Sequence, residues 1–180
     1  MRVIGLTGRN ASGKGAVAEH LKELGFKYRS LSDVLRQELT ARGQEHTREN
    51  LIAIGRELRS AGGSQVLAER IVGQLESDHD HVIDSIRHPS EAAYLQQNCD
   101  GFVLWEIYAS SEIRFARIKS RGRIGDPETL EQFEAFEKAE ARRTEESGQD
   151  LDGTAELMDL RIVNEASMDV LAAEIQSALS

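Results

Sequence analysis

The stretch Val3-Ile4-Gly5-Leu6-Thr7-Gly8-Arg9-Asn10-Ala11-Ser12-Gly13-Lys14-Gly15 constrains this chain more than any other. An apolar run of strand type enters a glycine-framed loop, a lysine follows, and apolar residues then recur at helical spacing through Val17, Leu21 and Leu24. A strand, a tight loop and a helix start, in that order, gather backbone N–H groups at the positive end of the helix dipole. That is a seat for the oligophosphate of a nucleotide. Gly8 and Gly13 permit backbone angles and a close phosphate approach that a Cβ would block. Lys14 adds a point charge for the β- and γ-phosphates. The nucleotide is therefore expected to touch Gly8, Arg9, Asn10, Ala11, Ser12, Gly13, Lys14, Gly15 and Ala16.

The general P-loop pattern asks for Ser or Thr directly after the lysine, because that hydroxyl ligates Mg²⁺. Here Gly15 and Ala16 follow instead. The alternative is a glycine-rich turn that merely joins strand to helix, but the strand before and the helix after are the context the motif requires. The glycines at 5, 8, 13 and 15 do not give G-x-G-x-x-G, and a dinucleotide fold would leave the lysine unexplained.

A chain of 180 residues suits one domain, with room for a small mobile insertion. No apolar run approaches the roughly 18 residues that span a bilayer, and the start, Met1 to Gly5, is too soon interrupted for a signal peptide. One cysteine, Cys99, allows neither an internal disulfide nor a multi-cysteine zinc site. A cytoplasmic monomer or homodimer is expected, with no membrane partner. The formal net charge of −9 repels long nucleic acids unless basic residues are concentrated. They are concentrated between Arg114 and Gly125, where Arg114, Arg117, Lys119, Arg121 and Arg123 occur with no acid. A local cationic patch on an acidic protein suits a small, multiply charged anion better than a polymer.

Beyond the first strand, further strands are expected at Lys27–Leu31, His81–Ser85, Gly101–Tyr108 and Leu160–Asn164. Helices are expected at about Ala16–Leu24, from Ser32 or Asp33 to Gly43, and from Thr47 to Gly62-Gly63. Others follow at about Ser64–Leu75, Pro89–Gln97, Ser111–Ser120, Pro127–Glu146 and Met168–Leu179. Strands alternating with helices argue for a parallel sheet covered on both faces, a three-layer α/β domain. Ligands then sit beyond the carboxyl ends of the strands, where the glycine loop already is.

Three further segments carry chemistry. In Leu31-Ser32-Asp33-Val34-Leu35-Arg36, positions three apart share a helix face, so the Asp33 carboxylate and Arg36 guanidinium can point into one cleft. A solvated pair at a helix start is an equal alternative. In Val82-Ile83-Asp84-Ser85-Ile86-Arg87, a strand ending in Asp84 places a carboxylate beside the loop if that strand neighbours the first. There it could hold Mg²⁺ through water. Arg87, just past the strand, could grip an acceptor phosphate; a turn residue capping the next helix is the alternative. In the basic stretch, arginines on a glycine-bounded loop could close over transferring phosphates, against the alternative of a basic face paired with the acidic helix that follows. Asn164, at the carboxyl end of the last strand, is placed to touch a nucleobase.

Taken together these residues resemble the P-loop nucleoside monophosphate kinases over nearly the whole chain. Gly8 through Gly15 is similar to the adenylate kinase branch, which has G-K-G and leaves Mg²⁺ largely to phosphates and water. Ala16 stands where that branch has threonine. Asp33-Val34-Leu35-Arg36 is similar to the D-x-L-R of the acceptor site, which implies that Arg36 binds the acceptor phosphate. Asp84 to Arg87 looks like D-G-F-P-R with one residue fewer, so Arg87 carries over as well. Arg117, Arg121 and Arg123 are similar to lid arginines, with Arg142 or Arg143 as a further one. Ile83–Glu91 and Arg121–Asp126 also look like small dephospho-CoA kinase-like ATPases. The resemblance implies one P-loop NTPase domain, residues 1–180, with a five-stranded parallel sheet, an acceptor-binding helical region at about 32–76 and a small mobile lid at about 117–145. It implies γ-phosphoryl transfer from ATP, with Mg²⁺, to a nucleoside monophosphate or similar small nucleotide. Lys14, Asp84, Arg121 and Arg123 would be catalytic, Arg117 and Asn164 would join the loop around ATP, and Asp33, Arg36 and Arg87 would bind the acceptor. Transfer to a ribose hydroxyl with Asp33 as base, and a nucleotide-binding regulatory module with little transfer activity, are the alternatives.

Overall fold

Five segments assemble into one sheet in the computed structural model, which describes residues 1–122, 126–146 and 149–180. They are β1 (Val3–Thr7), β2 (Lys27–Ser30), β3 (His81–Asp84), β4 (Phe102–Tyr108) and β5 (Leu160–Val163), in the order β2-β3-β1-β4-β5. Every neighbouring pair is parallel. All residues of β1 are buried, as a central strand covered on both faces requires. Gly5 lies where a Cβ would stand 2.6 Å from Ile86 and 2.7 Å from Phe102, so the sheet there admits no side chain.

Two apolar layers cover the sheet. On one face α1 (Lys14–Glu23) and α9 (Met168–Leu179) pack Val17, Ala18, Leu21, Leu171 and Ile175 onto Ile4, Leu6, Trp105 and Ile107. On the other, α2 (Leu31–Ala41), α3 (Arg48–Gly62), α4 (Val66–Val72) and α5 (Pro89–Asn98) bury Val34, Leu39, Ile54, Leu58, Leu67 and Leu95 against Val3, Ile83 and Leu104. The remaining helices are α6 (Ser111–Arg121), α7 (Leu130–Glu146), which packs on α6, and α8 (Leu151–Ala155). This is the expected three-layer architecture with its five-stranded parallel sheet. Among the described residues no helix is long and apolar enough to cross a membrane.

The differences from the sequence expectation are local. α1 starts at Lys14, because the Gly13 carbonyl already accepts from Ala16 N–H at 2.9 Å and from Val17 N–H at 3.3 Å. α2 starts at Leu31, directly after β2, with the Ser30 hydroxyl accepting from Ser32 N–H. α7 starts at Leu130 and not near Pro127; the Thr129 hydroxyl accepts from Gln132 N–H at 3.2 Å and marks its first turn. α8 was not expected at all. Asp150 makes it, accepting from Gly153 N–H at 2.8 Å.

Candidate phosphate-loop site

The loop from Gly8 to Gly13 leaves β1 at the carboxyl edge of the sheet and enters α1 through left-handed backbone at Gly13, φ 99°. Ala11 is also left-handed, φ 60°, although it has a Cβ. Such conformations persist where the surroundings over-determine them. A side chain at Gly8 would meet the Ile107 carbonyl, and one at Gly13 would meet the Asn164 amide, so neighbouring elements leave no room for either.

Those neighbours brace the loop. Asn164, just past β5 and buried, donates from Nδ2 to the Ser12 carbonyl at 2.9 Å. Arg117, on α6, donates to the carbonyls of Ala11 (3.2 Å), Ser12 (3.1 Å) and Asn164 (2.7 Å). Arg114, one helical turn earlier and 4% exposed, donates to Ala109 O (2.9 Å) and Asn10 O (3.4 Å). It also forms a two-pronged pair with Glu137 of α7, with its guanidinium 5.2 Å from the Phe133 ring centre. Arg114 is thus paired with the acidic helix that follows, through a contact in which the arginine is buried and the glutamate partly so. Arg117 and Asn164, expected around the nucleotide, are bonded to the loop itself.

Lys14 turns back over the loop, its ammonium donating to Gly8 O at 2.7 Å and Arg9 O at 3.2 Å. Burial lowers its pKa from 10.5 to about 8; Asp84 opposes that shift, and the charges of Arg87 and Arg114 reinforce it. Three residues singled out in separate segments therefore lie within electrostatic reach of one ammonium. Asp84 reaches this place because β3 pairs with β1, Ile83 opposite Gly5. One of its carboxylate oxygens accepts from Ser85 N–H at 2.6 Å, and Ser85 is left-handed at φ 68°; the other faces the Tyr28 hydroxyl at 3.4 Å. The Tyr28 pKa is raised by burial first and then by Asp84, with Asp33 adding in the same direction.

Asp33, in the first turn of α2 just past β2, and Arg36 form an ion pair of 2.6 Å on the exposed face of that helix. Both lie with Gln37, Thr40 and Ala41 along one exposed face of α2, beside an open depression of about 490 Å³. The shared helix face is as the spacing predicts, and a half-exposed pair beginning in the first turn of α2 is equally what a solvated pair at a helix start would give. Arg87 is exposed, with its backbone held by Glu91 Oε2 and by Asp150 N–H. Arg9 pairs with Asp152 of α8 at 2.6 Å, so a short helix absent from the sequence expectation touches both the loop and the Arg87 segment. Asp150, a residue type favoured at helix starts, with Asp152 in the first turn, is the faint signal the sequence carries for it.

Arg121 lies at the end of α6, 3.8 Å from Asp126. Arg123 falls outside the described residues, as do the side chains of Arg142 and Arg143. The Asp78-His79-Asp80-His81 run does not act as one cluster: Asp80 pairs with Arg2, and His81 is buried. Ser12 Oγ is buried with no hydrogen-bond partner among the described residues. No side-chain hydroxyl follows Lys14, but one carboxylate with substrate phosphates and water is a donor set that suits Mg²⁺, and Asp84 would be the carboxylate of such a set.

A family model described as an AAA domain matches residues 4–159. A UPF0200 protein of Methanothrix thermoacetophila is 34% identical over 179 residues, covering 99% of this chain and 97% of that protein. Another, of Hyperthermus butylicus, is 35% identical over 181 residues, with coverage of 99% and 93%. Among solved structures, a shikimate kinase from Acinetobacter baumannii in complex with shikimate is similar at a TM-score of 0.58 and 14% identity, covering 99% of this chain and 93% of that one. A gluconokinase from Sinorhizobium meliloti is similar at 0.57 and 14%, with coverage of 99% and 91%. The fold is that of small P-loop kinases.

Proposed function

The chain belongs to the AAA-domain family and to the UPF0200 proteins, and on that premise we propose that it is an ATP-dependent phosphotransferase acting on a small nucleotide, a nucleoside monophosphate or a close relative. One observation carries this: a single sheet edge holds the Lys14 loop, Asp84, Arg87 and a cleft lined by Asp33 and Arg36. A donor seat and an acceptor seat side by side are what in-line transfer needs.

The loop amides and Lys14 neutralise the donor phosphates. Arg87 and Arg36 hold the acceptor's anionic group so that one of its oxygens faces the γ-phosphorus. That oxygen forms the new P–O bond while the bond to the β,γ-bridging oxygen breaks, and ADP leaves with the electron pair. Mg²⁺, when bound through water at Asp84, offsets charge on the phosphates. Arg117 and Asn164 act on ATP by fixing the shape of the loop. Within the segment at about 117–145 expected as a lid, Arg117 stays with the loop and α7 with α6, while Arg121 and Arg123 bring positive charge to the transferring group, where one arginine is worth about 10³–10⁵ in rate.

A second reading draws on the Asp33–Arg36 pair. Arg36 already has a carboxylate partner, and that carboxylate lines the cleft, where it could take the proton of an acceptor hydroxyl. The similarly folded shikimate kinase holds shikimate.

The test is a coupled ADP-release assay across ribo- and deoxynucleoside monophosphates, with dephospho-CoA and shikimate in the same panel. Turnover on a monophosphate supports the first reading, and turnover on the hydroxyl acceptors alone supports the second. ATP binding without acceptor-dependent ADP release from any member would reduce the protein to a nucleotide-binding module.

A further inference from the structure

Behind Arg87 lies a buried ion pair that the transfer chemistry above does not use. Glu91, in the first turn of α5, has a side chain 1% exposed, and Arg59, near the end of α3, has one 10% exposed. Arg59 donates from Nη2 to Glu91 Oε1 at 3.2 Å. The other carboxylate oxygen, Oε2, accepts from Arg87 N–H at 2.9 Å and from His88 N–H at 3.2 Å. Gly55, one turn before Arg59, makes room for the guanidinium: a Cβ there would stand 3.0 Å from Nη1.

Part of this is helix capping. His88 caps α5, accepting from Ser90 N–H, and Glu91 returns a bond to His88 N–H, a reciprocal pair at a helix start. Capping does not account for the rest. It does not call for a bond to Arg87 N–H, outside the helix, nor for a counter-ion brought from another helix. Capping carboxylates ordinarily sit in water, whereas burial here pushes the Glu91 carboxyl above its usual range, against the pull of Arg59 and of the backbone N–H. A buried pair is a poor source of stability, because desolvation consumes most of its attraction. Its geometric effect is plain. The Arg87 N–H is held by Glu91 and the Arg87 carbonyl by Asp150 N–H at 2.8 Å, so the main chain is fixed on both sides while the side chain is exposed.

We propose that Glu91, held in place by Arg59, is a positioning residue that fixes the main chain from which Arg87 reaches the acceptor's anionic group. α3, on the acceptor side, is thereby tied to the arginine beside the phosphate loop. The inference rests on the reading of Arg87 given under the proposed function.

The experiment is a double-mutant cycle read by calorimetry with AMP as probe and by the KM for AMP in the ADP-release assay. It uses the wild type, Arg87→Ala, Glu91→Gln, both together, Arg59→Met and Arg59→Lys. Arg87→Ala and Glu91→Gln are each expected to weaken AMP about tenfold, and the double variant no more than Arg87→Ala alone, as coupled neighbours behave. The Kd for ATP and the kcat stay within about twofold in Glu91→Gln, since the residue acts on ground-state acceptor binding. Arg59→Met follows Glu91→Gln, and Arg59→Lys restores wild-type affinity to within about threefold, because the counter-charge is kept. If Glu91→Gln fails to fold, the Arg59 variants complete the cycle with Arg87→Ala. Wild-type AMP affinity in Glu91→Gln, with affinity lost in Arg87→Ala, overturns the proposal and leaves the role of Arg87 standing. Effects that add in the double variant overturn it too, since they mark a separate structural role. Wild-type affinity in Arg87→Ala sinks the role of Arg87 and this inference together.

Discussion

The phosphate loop and the open depression on α2, the acceptor seat of the proposed reading, are built in opposite ways. The loop is held by buried and partly buried groups from α6, from the end of β5 and from its own lysine: Arg114, Arg117, Asn164 and Lys14 all bond to its carbonyls. The cleft rests on one half-exposed ion pair on the outside of α2. The first arrangement is set by the fold before any ligand arrives. The second leaves side chains free to respond to what enters. A donor common to many reactions suits a rigid seat, and an acceptor that distinguishes one reaction from another suits an adaptable one.

The sharpest way to break this contrast is at Arg114. Arg114→Met leaves the partly buried Glu137 without its partner and removes the donor to Asn10 O, and the expected loss of stability is about 3 kcal/mol in denaturant unfolding, the low end for a broken buried pair. A loss below about 1 kcal/mol would mean that Arg114 does not brace the loop. Next comes Lys14→Ala, expected to lower kcat by roughly 10²–10³, the scale of one preorganised charge-stabilising group; stopped-flow or coupled assay measures it. Then pH. Lys14 loses its proton near pH 8, so the Kd for ATP should rise about tenfold per unit above that value, with proton uptake on binding seen by calorimetry in buffers of different ionisation heat. The sign reverses for the unliganded fold. A lysine depressed from 10.5 to about 8 binds its proton less well folded than unfolded, so this group's contribution to stability rises as pH climbs between those values. The smallest effect is expected at the cleft: Arg36→Ala changes stability by less than about 0.5 kcal/mol, as surface pairs do, while raising the KM for the acceptor.

The same contrast explains what the sequence could disclose. The loop was legible because its chemistry is local, with strand, glycines, lysine and helix consecutive in the chain. The pairing of β3 with β1, which brings Asp84 to Lys14, was conditional on topology but followed the rule that sites gather at strand carboxyl ends. The braces were not legible. Arg117 and Asn164 meet the loop across more than a hundred residues, and nothing in their spacing distinguishes an arginine aimed at a phosphate from one aimed at the carbonyls of Ala11 and Ser12. Glu91 carried no signal of its own in the sequence, because its counter-ion Arg59 comes from another helix thirty-two residues away. α8 escaped for a different reason: five residues give too short a period to see.

The ammonium of Lys14 already has two oxygen neighbours, the carbonyls of Gly8 and Arg9. A newcomer must displace them, so its arrival exchanges one set of contacts for another. A lone monovalent anion offers too little to win that exchange. On the proposed reading a polyphosphate tail, presenting oxygens to the lysine and to the loop amides at once, is expected to win it, and the seat would thereby be insulated from the simple salts that surround it in any solution.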